Sequence, residues 1–437
     1  MDEASAHAGN KLQLALTAAL LALSVVLGGG QGWLGETVLQ FLALALLAWL
    51  CVNTIARGNA GPRPTAPHWL ILAVIALPLL HLSIRPLGAE RALLGILPFA
   101  AIYLSSIMLS PGQRTRMLEL VLILALGSLV LGMMQLAGGE DSPLYFYSRT
   151  NRGEAVGFFA NRNHLATLLM MTVPVSLAFA TLAVGERTSR GHGGLLAIVA
   201  RVSLAILLIL GLALTRSRAG LVLGMLALLL AWPMVWSLRR RRASRRAFGL
   251  IVSVALLLAV QFAFYGILLR LQADPLSDQR WHVARVTAEA AQNGPPLGTG
   301  LGSFRQVFQA HDIQAPSAEI VNHAHNDYLE LWLEAGWPAI ALAGALLVYV
   351  AWAGVSAWRR SGNSEDIWAK AATIAIVMVL LHSVVDYPLR TISIQAVLGL
   401  LLAVMLSGLR PAARAPGQDR ARVSRSDPQP QTAEGIH

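Results

Sequence analysis

The sequence predicts an all-α polytopic membrane protein of about 12 transmembrane helices with one large, partly helical loop outside the bilayer. Hydrophobic residues fill 55% of the 437 positions and charged residues only 13%, against about 45–50% and about 25% in soluble chains. Apolar runs of bilayer-spanning length recur from end to end, and the polar chemistry is confined to the connections between them. A soluble globular protein is excluded.

The runs lie near 12–28, 38–56, 69–84, 92–109, 117–137, 164–184, 195–214, 219–237, 248–268, 337–358, 369–386 and 391–409. The first follows Lys11 as a signal peptide would, but Gly28, Gly29 and Gly30 stand after it in place of a small-residue cleavage site, so it reads as a span. The third is short and interrupted by Pro78 and His81. Direction follows from the excess of Lys and Arg in cytoplasmic loops. The run LRRRRASRR at 238–246 sets that loop inside; 21 of the 34 basic residues then fall inside and 12 outside, with Arg201 within a span. Both termini are placed inside, and the Pro/Arg/Gln-rich stretch 410–437 reads as a disordered cytoplasmic tail. The net charge of +11 is thereby a topology signal, and no nucleic-acid partner is expected. The single cysteine, Cys51, sits in an apolar run and forms no disulfide framework. The organisation expected is helices one to nine over 1–268 with an outer segment at 138–163, a large outer loop at 269–336, helices ten to twelve over 337–409, and the tail.

Long loops are where function concentrates. In the first outer segment Asn161, Arg162, Asn163 and His164 stand at the start of the sixth span, where free backbone N–H groups and the helix dipole suit an anion. The alternative is a capping asparagine beside an interfacial arginine. In TRSRAG, Arg216 and Arg218 lie at the outer boundary against the topological bias, and their guanidiniums match phosphate oxygens; lipid headgroups are their other reading.

The large loop reads as a helix beginning near Pro275, a Gly/Pro-punctuated middle and a second helix entering the tenth span. Arg280 and Arg285 are both candidates for a common site, and GTGLG at 298–302 reads as a tight turn rather than a nucleotide loop. NHAHNDYLELWLEAG is the most specific segment. A neutral histidine there, His323 or His325, suits removal of a hydroxyl proton, and Asn326 and Asp327 open the helix that follows. A helix-capping histidine, or a metal set of His311, His323, His325 and Asp327, are the rival readings; no H-E-x-x-H-type spacing supports the metal. Tyr328, Trp332 and Trp337 read first as interfacial anchors and second as sugar-stacking platforms. Asp386, where the eleventh span reaches the outer face, is expected to pair with an arginine of the site, with Arg390 four residues on and His382 one turn before. Several arginines, one histidine and no evident metal site suit a substrate whose leaving group is a phosphate or pyrophosphate.

GFFANRNHLATLL at 157–169, TRSRAG at 215–220, the stretch from Arg280 to Phe304, HAHNDYLELWLEAG at 323–336 and DYPLRT at 386–391 together resemble the bacterial O-antigen ligase and polysaccharide polymerase superfamily. The likeness covers residues 155–340 and the end of the eleventh span; spans one to five carry no motif. It implies an inner-membrane glycosyltransferase of the GT-C type, acting on the periplasmic face without a metal or other cofactor and inverting the anomeric centre. The donor implied is a glycan on undecaprenyl pyrophosphate. Carried over residue by residue, the activating histidine falls on His325 with His323 as fallback, and Arg216, Arg218 and Arg280 hold the pyrophosphate. Arg285, Asn161, Arg162, Asn163, Asn326 and Asp386 are expected to support them. Ligase and polymerase share this chemistry and differ in acceptor: lipid A-core in lipopolysaccharide biosynthesis, or another lipid-linked repeat of an O-antigen or exopolysaccharide. Ligase-type transfer stands first by a narrow margin, membrane lipid is a constant partner, and a chain-length regulator is a possible further one. The rival class is a lipid-linked glycan transporter or flippase, against which stand the missing internal repeat and the one-sided polar residues.

Overall fold

The computed structural model describes residues 3–30, 32–56, 66–146, 153–190, 192–236, 279–312, 321–360 and 363–407, with isolated helical positions at 249, 253 and 257. Among the described residues there are 13 α-helices and no strand. They are α1 (Glu3–Leu27), α2 (Trp33–Ala56), α3 (Ala66–Leu80), α4 (Pro86–Met108), α5 (Pro111–Ala137), α6 (Arg162–Arg190), α7 (His192–Leu214) and α8 (Arg218–Trp236). After them come α9 (Gln279–Gln292), α10 (Phe304–His311), α11 (Asp327–Trp358), α12 (Ser364–His382) and α13 (Ile392–Ser407). Every predicted span but one coincides with a helix. That one, 248–268, lies outside the described residues apart from its isolated positions, as do the basic loop 238–246, the tail, and 269–278 and 313–320 of the large loop.

Six of these helices are long and apolar enough to cross a membrane: Gly9–Leu27, Trp33–Ala56, Pro86–Met108, Pro111–Ala137, Arg162–Ala183 and Asp327–Trp358. Shorter apolar helices among the described residues include Arg218–Met234 and Ile392–Ser407. Together they make a multi-pass helical membrane protein.

Helix α6 is the centre of the bundle, packed by α5, α7, α8 and α12. Its sequence LATLLMMTVPVSLAFA is apolar on all sides, the pattern of a helix without a polar face. Its polar side chains are satisfied internally: Thr167, Thr172 and Thr181 donate to the carbonyls of Asn163, Leu169 and Leu177, as a water-poor environment requires. Close approach is allowed where one helix offers glycine: Gly211 faces Leu129, Gly224 faces Leu212, and Gly354 faces Thr373.

One end of the bundle is simple. Ser110 and Asn363 open α5 and α12 with capping boxes, and Arg114 lies 4.0 Å from Glu365. The other end is built. Gln135 at the end of α5 is fully buried and holds the connection to α6, donating to Leu144 and Gly157 and accepting from the N–H groups of Val156 and Gly157. Helix α11 bends at Gly336 (φ 65°, ψ −160°), a conformation open essentially to glycine alone. The loop 296–300 closes over the bend, with Trp337 N–H donating to Pro296 and the N–H groups of Thr299 and Gly300 donating to Leu333 and Glu334. GTGLG is therefore a turn packed on a helix, with positive φ at Gly298, Gly300 and Gly302.

Candidate active site

At this built end, α6, α9, α11 and the turn after α12 bring their polar residues together. Asn161 caps α6: its Oδ1 accepts from the N–H of Asn163 at 2.9 Å, and its Nδ2 donates to the Tyr387 hydroxyl at 3.4 Å. Arg162 is ion-paired with Glu154, so it is committed to the preceding loop. Asn163 is buried, and its carbonyl receives Thr167. His164 is buried edge-on to Tyr387, with ring centroids 5.0 Å apart, and its Nδ1 lies 3.1 Å from Thr391 Oγ1.

The segment 323–327 is tied down on both sides. Asn326 caps α11, accepting from the N–H groups of Tyr328 and Leu329 while donating to Val384 at 2.8 Å. Asp327 accepts from Leu389 N–H at 3.0 Å, and its own N–H donates to Ser383. Tyr328 donates to Leu380. This lattice places His325 Nδ1 3.4 Å from Asp386 Oδ1, close for charge pairing and long for a hydrogen bond. His325 adopts φ 51° and Arg216 φ 52°, and among the described residues they are the only non-glycine positions with positive φ. Side chains rarely adopt this region, and where they do, the surroundings over-determine it, often at functional sites.

Tyr387 is the hub. His323 stacks on its ring at 4.2 Å and 28°, His325 meets it at 5.2 Å and 64°, and His164 contacts it at its edge. Asp386 is fully buried. Burial alone raises its carboxyl, but the His325 contact and the charges of His164, His382 and Arg280 outweigh that and hold it well below the ordinary carboxylate range. Burial, then the Asp386 charge, pushes the Tyr387 phenol up to about 12, so Tyr387 stays neutral.

The arginines divide. Arg280 Nη1 donates to the carbonyl of Val385, next to Asp386, at 3.1 Å. Arg285 points elsewhere: it is exposed, as is Trp281 one turn before it, while Val283, Val286 and Ala290 form the buried face of α9. Arg216 and Arg218 are exposed on a turn whose Thr215 and Ser217 are buried. That turn belongs to the same end of the bundle, because a Cβ on Gly220 would lie 2.5 Å from that of Ala166 in α6.

Asp386 was expected to pair with an arginine of the site, with Arg390 four residues on; the arginine whose charge acts on it is Arg280, and the structure corrects the partner Arg390. Asp386 faces His325, and Arg390 Nη1 instead lies 2.9 Å from Glu334 Oε2 and 3.2 Å from Glu330 Oε1. The helix ends at His382, and the turn that follows rotates Asp386 away from Arg390. His382 itself bonds Thr167 of α6 at 2.8 Å. Among the described residues no group of three or more His, Cys, Asp or Glu side chains is placed to hold a metal ion; His311 bonds Val307, His323 bonds Glu330, and His325 faces Asp386. Trp332 and Trp337 lie 5.2 Å apart at the α11 bend, with Trp337 exposed. Sequence reasoning missed Tyr387, Glu330, Glu334 and Glu154; the one available signal was two acids four apart in an otherwise leucine-rich helix.

The fold and the site define a multi-pass helical membrane protein with a histidine–carboxylate pair and arginines at one end of its bundle. Residues 203–344 match the family model described as O-antigen ligase, and no curated protein matches the chain significantly. About a third of the chain is thus similar to the O-antigen ligase family. The matched span includes Arg216, Arg218, Arg280, His323 and His325, and ends before Asp386, Tyr387 and Arg390.

Proposed function

We propose that this chain transfers a glycan from undecaprenyl pyrophosphate to an acceptor hydroxyl on the periplasmic face of the bacterial inner membrane, both termini being cytoplasmic. The observation that carries this reading is His325, held in left-handed backbone beside the buried Asp386 and inside the family match. With Asp386 facing Nδ1, the ring presents Nε2 as base. Nε2 takes the acceptor proton while the hydroxyl oxygen attacks the anomeric carbon from the side opposite the pyrophosphate. The bond from that carbon to the phosphate oxygen breaks, the configuration inverts, and undecaprenyl pyrophosphate departs carrying the negative charge. Arg216, Arg218 and Arg280 are the cations for that charge. No metal enters these steps.

The acceptor is assigned as lipid A-core, making the chain a ligase; joining of lipid-linked repeats by an O-antigen or exopolysaccharide polymerase is the alternative that shares every step but the last. Purified protein in proteoliposomes, given labelled undecaprenyl-pyrophosphate glycan with lipid A-core and with a second lipid-linked repeat in parallel, separates the two. Label on lipid A-core supports the ligase, and lengthened lipid-linked glycan supports the polymerase. No transfer to either returns the transporter reading.

A further inference from the structure

Glu330 and Glu334 stand one turn apart on the first arm of α11, and their side chains are 1% exposed. Burying two carboxylates costs several kcal/mol each unless hydrogen bonds and countercharge offset it, and packing alone would be served by leucine. Arg390 offsets part of that cost, a single guanidinium nitrogen lying within 3.2 Å of both acids. Glu334 spends its other oxygen on the N–H of Phe304 at 3.1 Å, an anchor for α10. Glu330 spends both oxygens on the histidine segment. Its Oε2 accepts from Ala324 N–H at 2.7 Å, and its Oε1 accepts from His323 Nδ1 at 3.0 Å.

The second bond fixes the tautomer of His323. A carboxylate accepts and never donates, so Nδ1 carries a proton, and in the neutral tautomer the lone pair is at Nε2. Tyr387 backs the ring face. His323 and His325 thus flank one tyrosine, each with a carboxylate at Nδ1, and their side chains remain 18% and 28% exposed.

We infer that Glu330 is a positioning residue that holds His323 as a hydrogen-bond acceptor for an acceptor-sugar hydroxyl adjacent to the one His325 deprotonates. This rests on the glycosyl-transfer reading and deepens it. His325 then serves the reacting hydroxyl, while His323 reads the neighbouring one and contributes to acceptor binding.

The test is steady-state transfer by the full chain in proteoliposomes, using whichever acceptor the wild type accepts and varying donor and acceptor separately. Glu330→Gln weakens the hold on His323. His323→Phe keeps the ring on Tyr387 and leaves the Glu330–Arg390 pair in place, so it carries the test if Glu330→Gln fails to fold. Both are expected to raise acceptor KM about tenfold, equivalent to about 1.4 kcal/mol, with donor KM unchanged and kcat within about threefold. Mono-deoxy acceptors sharpen the readout: removing the hydroxyl that His323 reads should weaken the wild type and leave His323→Phe unaffected. Unchanged acceptor KM in His323→Phe, or a fall in kcat without a rise in acceptor KM, overturns the inference. Absence of transfer by the wild type to any acceptor would instead overturn the glycosyl-transfer reading beneath it.

Discussion

Replacing Asp386 with asparagine isolates the electrostatic part of the proposed base. Asparagine keeps the shape and can still accept the N–H of Tyr387 that Asp386 Oδ1 receives at 2.9 Å, while the charge facing His325 is lost. As His325 takes a proton, it becomes a cation 3.4 Å from a full negative charge. At an effective dielectric of about 20, that attraction is ~5 kcal/mol. His325 is 28% exposed, and solvent on that open side leaves roughly half, ~2.5 kcal/mol, or about 70-fold in rate. This lies near the range of about 10²–10⁴ typical of positioned acid–base groups. The assay is the rate of glycan transfer at saturating donor and acceptor in proteoliposomes, with the detergent-solubilised melting temperature as a control on folding. A variant that folds and works within threefold of wild type would refute the coupling of Asp386 to His325.

Arg280→Ala and Arg216→Ala should each raise donor KM by at least about tenfold, the scale of a charge-assisted hydrogen bond, whereas Arg285→Ala, on the exposed face of α9, should stay within twofold; donor titrations decide. Gly336→Ala places a Cβ 2.2 Å from the Pro296 carbonyl oxygen at φ 65°, and should destabilise the protein by about 3 kcal/mol or more, read as a lowered melting temperature at unchanged pH. Asp386 titrates below its unfolded value of about 3.9, so its stabilisation is complete above that value and disappears as pH falls through the folded one. The melting temperature of the wild type should therefore fall more steeply than that of Asp386→Asn on acidification below about pH 4; parallel curves would contradict the depressed carboxyl.

The spans were legible because hydrophobic length is a direct consequence of bilayer thickness, and α6 and α11 fall where their apolar runs stand. His325 and Arg216 were singled out by motif, but their shared left-handed backbone was not foreseen, since neither sits in a glycine-type turn sequence. The exposure of Arg285 was written in the phase of α9: Val283, Val286 and Ala290 mark its buried face, and Arg285 lies off it. What stayed hidden depends on partners far along the chain. Glu334 and Arg390 are 56 residues apart, and without that partner Glu330 and Glu334 read as the polar side of an amphipathic helix. Tyr387 escaped notice for a similar reason, because its role comes from rings delivered by three separate segments.

The most direct measurement compares wild type with His325→Ala in oriented proteoliposomes with EDTA present, following both transferred glycan and the anomeric configuration of the new linkage. The prediction is inverted product from the wild type despite the chelator, and none from His325→Ala, with equal amounts of both proteins inserted. Transfer by His325→Ala at the wild-type rate, or activity that disappears with the chelator and returns with a divalent metal, would contradict a metal-independent histidine base at this site.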